Sequence, residues 1–196
     1  MKNKIIILLL LLLLSSASKI NTSSYTLDTG HTYFGFDVER FLVGEVTGRF
    51  NEFSAKITMN DEDYTSLKID ANIKVNSLDS NNKTRDGHLK GALWLDAEKF
   101  PEIQFKSTDV AKKNDGKYMM KGNFTIKGIT KEVIFPVEIL GPFKDPTQKT
   151  AIGIKADFTI DRFDYDIKFN RKMDNGSFFI GNEVKIKIRA LAYKDN

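Results

Sequence analysis

From Tyr25 almost to its end the chain alternates apolar and polar residues with a period of two, the pattern of β-strands with one buried face. Phe34, Phe36 and Val38 alternate with Tyr33, Gly35 and Asp37, and Phe53, Ala55, Ile57 and Met59 with Ser54, Lys56 and Thr58. Leu67, Ile69, Ala71, Ile73 and Val75 form the cleanest run, and Ile103, Phe105 and Ser107 a shorter one. Further runs are Tyr118–Ile126, Val133–Ile139, Ile152–Ile160 and Val184–Ala192. Turn residues separate them: Asn60-Asp61, Asn114-Asp115-Gly116, Lys127-Gly128, Gly141-Pro142, Asp145-Pro146 and Asn175-Gly176. The pattern predicts about eight antiparallel strands, each with one apolar and one polar face.

Eight such strands close economically as a sandwich or as a barrel. The runs span about nine to twelve residues, against roughly 5–6 for a usual strand, which favours a barrel. The inward set mixes rings (Phe34, Phe124, Phe158) with small residues (Ala71, Gly122, Ala156, Ala190, Ala192), so the expected barrel has room inside. If it is hollow, Phe34, Phe36, Phe53, Ile69, Ile73, Trp94, Phe105, Phe124 and Phe158 line a long apolar tunnel suited to an elongated hydrocarbon. For any one of these side chains, ordinary core packing is the simpler reading.

The alternation breaks once, between Thr84 and Phe105, where a short helix is expected around residues 82–93. This insert between strands holds the only tryptophan, Trp94, and Arg85, Asp86 and His88. With Lys90, Arg85 and His88 are cations for a polar or anionic head group, and Asp86 joins them at the expected mouth. The plainer reading is that Arg85 and Asp86 tie the insert to the barrel by a charge-assisted pair.

Catalytic readings are weaker. No nucleophile elbow accompanies the Asp86/His88 pair. The chain has two histidines and no cysteine, which excludes thiol catalysis and leaves no zinc-ligand spacing. Asp161, Asp164 and Asp166 lack the register of a calcium loop, so the segment from Asp157 to Arg171 reads as a strand end and a polar loop.

At the N-terminus, Lys2 and Lys4 precede ten apolar residues, Ile5 to Leu14, and then the small residues Ser15-Ser16-Ala17-Ser18. This reads as a cleaved signal peptide, residues 1–18, ahead of one domain spanning 19–196; the run is too short to cross a bilayer. A secreted or periplasmic protein without cysteine rests on its core alone. The mature chain carries a formal charge of +2, with both signs interspersed and no basic stripe for nucleic acid. Four Asn-x-Ser/Thr sequons, at Asn21, Asn82, Asn123 and Asn175, are read as chance in a lysine-rich, bacterial-looking chain.

Six segments, in this order along the chain, carry a family pattern. They are Tyr25-x-Leu27-Asp28-x-x-His31-Thr32 with Phe34 and Phe36; Gly48-Arg49-Phe50-x-x-Phe53; and Ser77-Leu78-Asp79 followed by Arg85-Asp86-x-His88-Leu89. Lys99-Phe100-Pro101-x-Ile103-x-Phe105-x-Ser107, the run from Gly122 to Lys131, and Gly181-x-Glu183-Val184 complete the series. Together these segments resemble the YceI-like family, secreted bacterial lipocalin-like proteins with a polyisoprenoid-binding domain. The resemblance covers Tyr25 to Ala192 and implies an extended antiparallel barrel around a long isoprenoid chain, such as a quinone or polyprenyl lipid, with no catalytic residue. Two departures stand out: Arg40 where the family usually has histidine, and Leu93-Trp94-Leu95 where it often has two aromatics.

The sequence thus predicts an all-β protein, an extended eight-stranded antiparallel lipocalin-like barrel with a short helical insert. Its expected role is to bind an isoprenoid-type lipid, with no cofactor, no nucleic acid and no membrane span after cleavage; a homodimer is left open. The rivals are a filled, stress-related scaffold and an enzyme using Arg85, Asp86 and His88.

Overall fold

The computed structural model describes residues 21–61 and 63–195; the N-terminal run read as a signal peptide lies outside them. Eleven strand segments follow one another: β1 (Thr22–Leu27), β2 (Tyr33–Arg40), β3 (Gly44–Phe50), β4 (Phe53–Asn60), β5 (Asp63–Lys74), β6 (Leu78–Asp79), β7 (Glu102–Lys112), β8 (Tyr118–Ile126), β9 (Ile129–Lys144), β10 (Thr150–Asp161) and β11 (Ile180–Lys194). The single α-helix among the described residues, α1 (Lys83–Lys90), lies between β6 and β7, inside the stretch where alternation fails.

All pairings are antiparallel, and they close a ring. β1 pairs with β4, β4 with β5, and the sheet continues through β7, β8, β9 and β10 to β11, which returns to β1. β2 and β3 extend the first two strands of the ring beyond short interruptions, pairing with each other and, through β2, with the first half of β11. The barrel therefore has eight long strands, of which the first three are broken into segments. Closure removes the exposed edges that an open sheet would present.

The break between β1 and β2 has a local cause. Asp28 accepts hydrogen bonds from the Gly30 and His31 amides and from His31 Nδ1 (2.9 Å), capping a 3₁₀ turn over Thr29–His31. The turn bends the strand so that one half follows each end of β11. The seam is clasped near its start by Asp61, whose carboxylate accepts from Ser23, Asn21 and Lys194. Those hydrogen bonds, Ser23's first, hold it down at about 2.

Two expectations about the strands need correction. β9 and β11 run for 16 and 15 residues, longer than expected. Gly141-Pro142, read as a turn, lies inside β9 as a bulge, with two residues on β9 against one on β10 between neighbouring pairs. Lys127-Gly128 is a true hairpin turn, both residues having positive φ (51° and 73°) as a two-residue type I′ connection requires.

The core is in two parts. One end of the barrel is plugged by Tyr25, Ile57, Met59, Leu67, Val110, Met120, Phe135, Ile139, Ile152 and their neighbours. The other end is built from Ile73, Val75, Ala97, Ile103, Phe124, Ile126, Ile160, Tyr165 and Ile167, and the insert covers it.

Candidate functional site

Strand alternation points Phe34, Phe36, Ile69, Phe105, Phe158, Ile186 and Ile188 into the barrel, yet all are only half-buried. At the plugged end, inward residues such as Met59 and Ile152 are 0% and 1% exposed. An inward side chain with accessible surface must face a space within the barrel. That space is a cavity of about 170 Å³, running from Leu27 and Ala190 near the plug to Leu89 and Trp94 under the insert. Ile154 and Ile160 both border it, and the strand between them covers roughly 20 Å at about 3.3 Å per residue. A small volume spread over that length is a slot, shaped for one extended chain.

Of the nine residues expected to line a tunnel, Phe34, Phe36, Ile69, Ile73, Trp94, Phe105, Phe124 and Phe158 border the slot. Phe53 does not. It stands against Phe34, ring centroids 4.7 Å apart, and supports the wall. Ala55, Ala71, Ala156 and Ala190 also border the slot, whereas Ala192 belongs to the plug. Two glycines keep the lumen open by letting rings lie along the wall. A Cβ on Gly48 would fall 2.4 Å from the Phe36 ring, and one on Gly122 2.5 Å from that of Phe105. Neither ring could stay where it is with a larger residue beneath it.

The insert is anchored through Ser80, which is 4% exposed. Its amide and hydroxyl donate to Asp86 Oδ1 (2.9 and 2.5 Å), while Arg85 donates through Nε to its hydroxyl (2.7 Å) and through Nη2 to its carbonyl (2.5 Å). Asn82 caps α1 by accepting from the Arg85 amide. Arg85 and Asp86 thus fasten the insert by sharing Ser80 and do not pair directly. Neither borders the slot, and His88 is exposed on the helix. The physical reason is helical geometry: neighbours are about 100° apart, so turning Leu89 inward turns His88 away. Beyond α1, backbone bonds from Trp94 to Gly91, Leu95 to Leu89 and Ala97 to Lys90 coil the chain tightly, bringing Leu89, Trp94 and Leu95 over the slot.

Arg162 was missed at the sequence level. Among the described residues it is the one charged side chain bordering the slot, and it is 2% exposed. Nε donates to Gly181 O (2.9 Å) and Nη1 to Ile167 O (2.5 Å) and Phe169 O (2.9 Å), with a longer contact from Nη2 to Ile180 O (3.4 Å). Its guanidinium lies against the rings of Phe163 (4.6 Å) and Trp94 (5.6 Å). No carboxylate of the described residues lies within ion-pairing distance. Burial pulls it below its ordinary value, opposed by the field of Asp161. Its segment, read as a polar loop, is in fact a 3₁₀ turn (Arg162–Tyr165) with Tyr165 also buried.

The rim at this end is apolar. Phe41, Leu42 and Val43 join β2 to β3 and are exposed, as is Leu93 of the insert. Phe41 packs edge-on against Phe179 (4.1 Å), and Arg40 stacks over both rings without reaching the slot. Among the described residues there is no group of three His, Asp or Glu side chains placed to hold a metal ion, and no helix long and apolar enough to cross a membrane.

Comparison with known proteins fits this architecture. Residues 25–192 match the YceI-like domain. A UPF0312 protein of Staphylococcus aureus (strain N315) is 31% identical over 169 residues, covering 86% of this chain and 96% of the relative. The crystal structure of the Campylobacter jejuni YCEI protein superposes with a TM-score of 0.70 at 29% identity, covering 88% of this chain and 98% of that one. A polyisoprenoid binding domain from Saccharophagus degradans shares the fold, with a TM-score of 0.66, 13% identity and coverage of 87% and 98%.

Proposed function

The chain belongs to the YceI-like family, and from that premise and the slot we propose that it is a secreted or periplasmic binding protein for a long-chain, isoprenoid-type lipid. It would hold a quinone or polyprenyl tail for transport, storage or sequestration. The observation that carries the reading is the row of inward but accessible apolar side chains along most of the barrel. Each buried CH₂ contributes roughly 0.8 kcal/mol, so a chain of several prenyl units offsets the cost of ordering it. The neighbour from Saccharophagus degradans, named for polyisoprenoid binding, supports the same ligand class.

In this reading the protein uses no cofactor and catalyses nothing. Arg85, Asp86 and His88 hold or decorate the insert. The test is solvent extraction and mass spectrometry of protein purified from its native host, followed by titration with long-chain quinones and polyprenyl alcohols. A stoichiometric prenyl lipid is the expected result. Folded protein that carries no lipid and binds none of these probes would overturn the proposal and leave a filled scaffold.

A further inference from the structure

Nine large apolar side chains are exposed among the described residues, and six of them gather at one end of the barrel. They are Phe41, Leu42 and Val43 between β2 and β3, Leu93 on the insert, and Phe169 and Phe178 ahead of β11. Contacts join them into one rim. Trp94, next to Leu93, packs against Phe169. The Phe179 amide donates to Arg171 O (2.7 Å), folding residues 171–179 into a hairpin, and the Phe179 ring meets Phe41. The other three, Ile134, Leu140 and Phe143, lie along β9, and the turns over the plugged end are polar. A contiguous apolar surface in water marks a contact with a protein or a membrane.

Folding alone does not account for the tip between β2 and β3. Phe41 and Leu42 both have positive φ (56° and 64°), and Val43 after them is 93% exposed. Bulky side chains adopt that region at a cost. The other non-glycine residues with positive φ are Asn81, Asp96, Lys127, Gln148 and Asp166, all of them polar. A turn shaped for Asn or Gly thus gives up stability to hold apolar side chains in water.

Behind the tip stand cations without counter-charge. Arg40 lies over the rings of Phe41 and Phe179, while Arg171 and Lys172 are exposed on the hairpin. None of the three enters an ion pair among the described residues. Of the nearest acids along the chain, Glu39 and Asp174 flank them and Asp166 is held by Lys168 (2.7 Å). A second copy would bring the same cations to a two-fold contact, and protein interfaces are poor in lysine. Apolar tips backed by unpaired cations instead match an anionic bilayer, where apolar side chains enter between the head groups and cations meet phosphates.

We propose that this rim docks the protein on an anionic lipid bilayer, with Leu42 and Val43 inserted and Arg40, Arg171 and Lys172 against the lipid phosphates. The insert-covered end of the slot then faces the membrane. Docking goes beyond the binding of a lipid in the slot and does not require it.

The test is flotation with vesicles of phosphatidylcholine alone and of phosphatidylcholine mixed equally with phosphatidylglycerol, at low salt. The unmodified protein is expected to bind the anionic vesicles at least about tenfold more tightly, each cation at the surface adding roughly fivefold. Leu42→Asn/Val43→Thr suits the turn and removes the apolar tip, and should weaken anionic-vesicle binding at least about tenfold. Arg171→Gln/Lys172→Gln should remove most of the preference for anionic over neutral vesicles. Both variants change exposed side chains, so unfolding curves and affinity for a prenyl alcohol should stay as they are. A protein that does not float with anionic vesicles overturns the docking, whatever its slot binds. Full binding by Leu42→Asn/Val43→Thr does the same. A protein that floats but binds no prenyl alcohol keeps the docking and loses the lipid-binding reading alone. A dimer that Leu42→Asn/Val43→Thr abolishes in sedimentation, in a protein that does not float, would give the rim to a second copy.

Discussion

The ring of Phe36 occupies the place that a Cβ on Gly48 would take, 2.4 Å from it across the β2–β3 pair. The three heavy atoms nearest that Cβ all belong to the Phe36 ring. Gly48→Val should therefore leave the strands paired and push the ring off the wall into the slot. Overpacking of this kind costs about 1–3 kcal/mol, which a barrel of this size tolerates. Affinity for a prenyl alcohol should fall by at least about tenfold. The double variant Phe36→Ala/Gly48→Val should restore it. If Gly48→Val binds normally, the slot is not where the ligand lies.

Trp94 is the only tryptophan in the chain and borders the slot while packing against Phe169, ring centroids 5.2 Å apart. A quinone entering the slot should quench its fluorescence saturably, with one ligand per chain. Signal that never saturates, or no quenching at concentrations where calorimetry shows binding, would place the ligand elsewhere.

Ser80 is the fastening of the insert, and its loss orphans groups on both Arg85 and Asp86. Ser80→Ala should destabilise the protein by about 1–3 kcal/mol and speed amide exchange selectively in residues 83–97. His88→Ala removes only an exposed ring, and its stability and lipid affinity should stay within about 0.5 kcal/mol of the unmodified protein. A turnover found in the protein and abolished by His88→Ala would instead establish the enzymatic rival.

How much of this was legible depended on whether a residue's neighbours enforced its direction. In β5 and β10 strict alternation left one choice of face, so Ile69, Ile73 and Phe158 could be placed from sequence. Phe53 obeyed the same parity and still missed the slot, because Phe34 stands in front of it and parity says nothing about depth. Arg85 and His88 stand away from the slot for another reason: their charge points to a head group, but helical geometry and the Ser80 anchor decide where the side chains go. Arg162 was hidden by composition. Surrounded by Asp161, Asp164 and Asp166, it looked like part of a polar loop, although the inward series Phe158, Ile160 continues to position 162. Extending that parity through an arginine was the available signal.

Asp37 is the clearest electrostatic element outside the slot. It is 2% exposed on the outer side of β2, where it accepts from Thr47 (2.8 Å) and pairs with Lys187 of β11. Burial alone would raise its carboxyl, but the hydrogen bonds from Lys187 and then Thr47 outweigh this and hold it below the usual range. The hydrogen bond from Asp37 in turn raises Lys187. A depressed carboxyl contributes stability that is fully present above its unfolded value, about 3.9, and is lost as pH falls through the lower native value. A raised lysine contributes stability present below its unfolded value, about 10.4, and lost as pH rises through the higher native one. The advantage of the unmodified protein over Asp37→Asn should therefore be flat from about pH 5 to pH 9 and shrink at both extremes, first on the acid side once pH drops below about 4. Losing a hydrogen-bonded carboxylate at this site should cost about 1–3 kcal/mol on the plateau. Urea unfolding of both proteins across the range measures the difference directly. A gap that persists undiminished in strong acid would show that Asp37 acts through its shape and not its charge, so that the pair is no brace between β2 and β11.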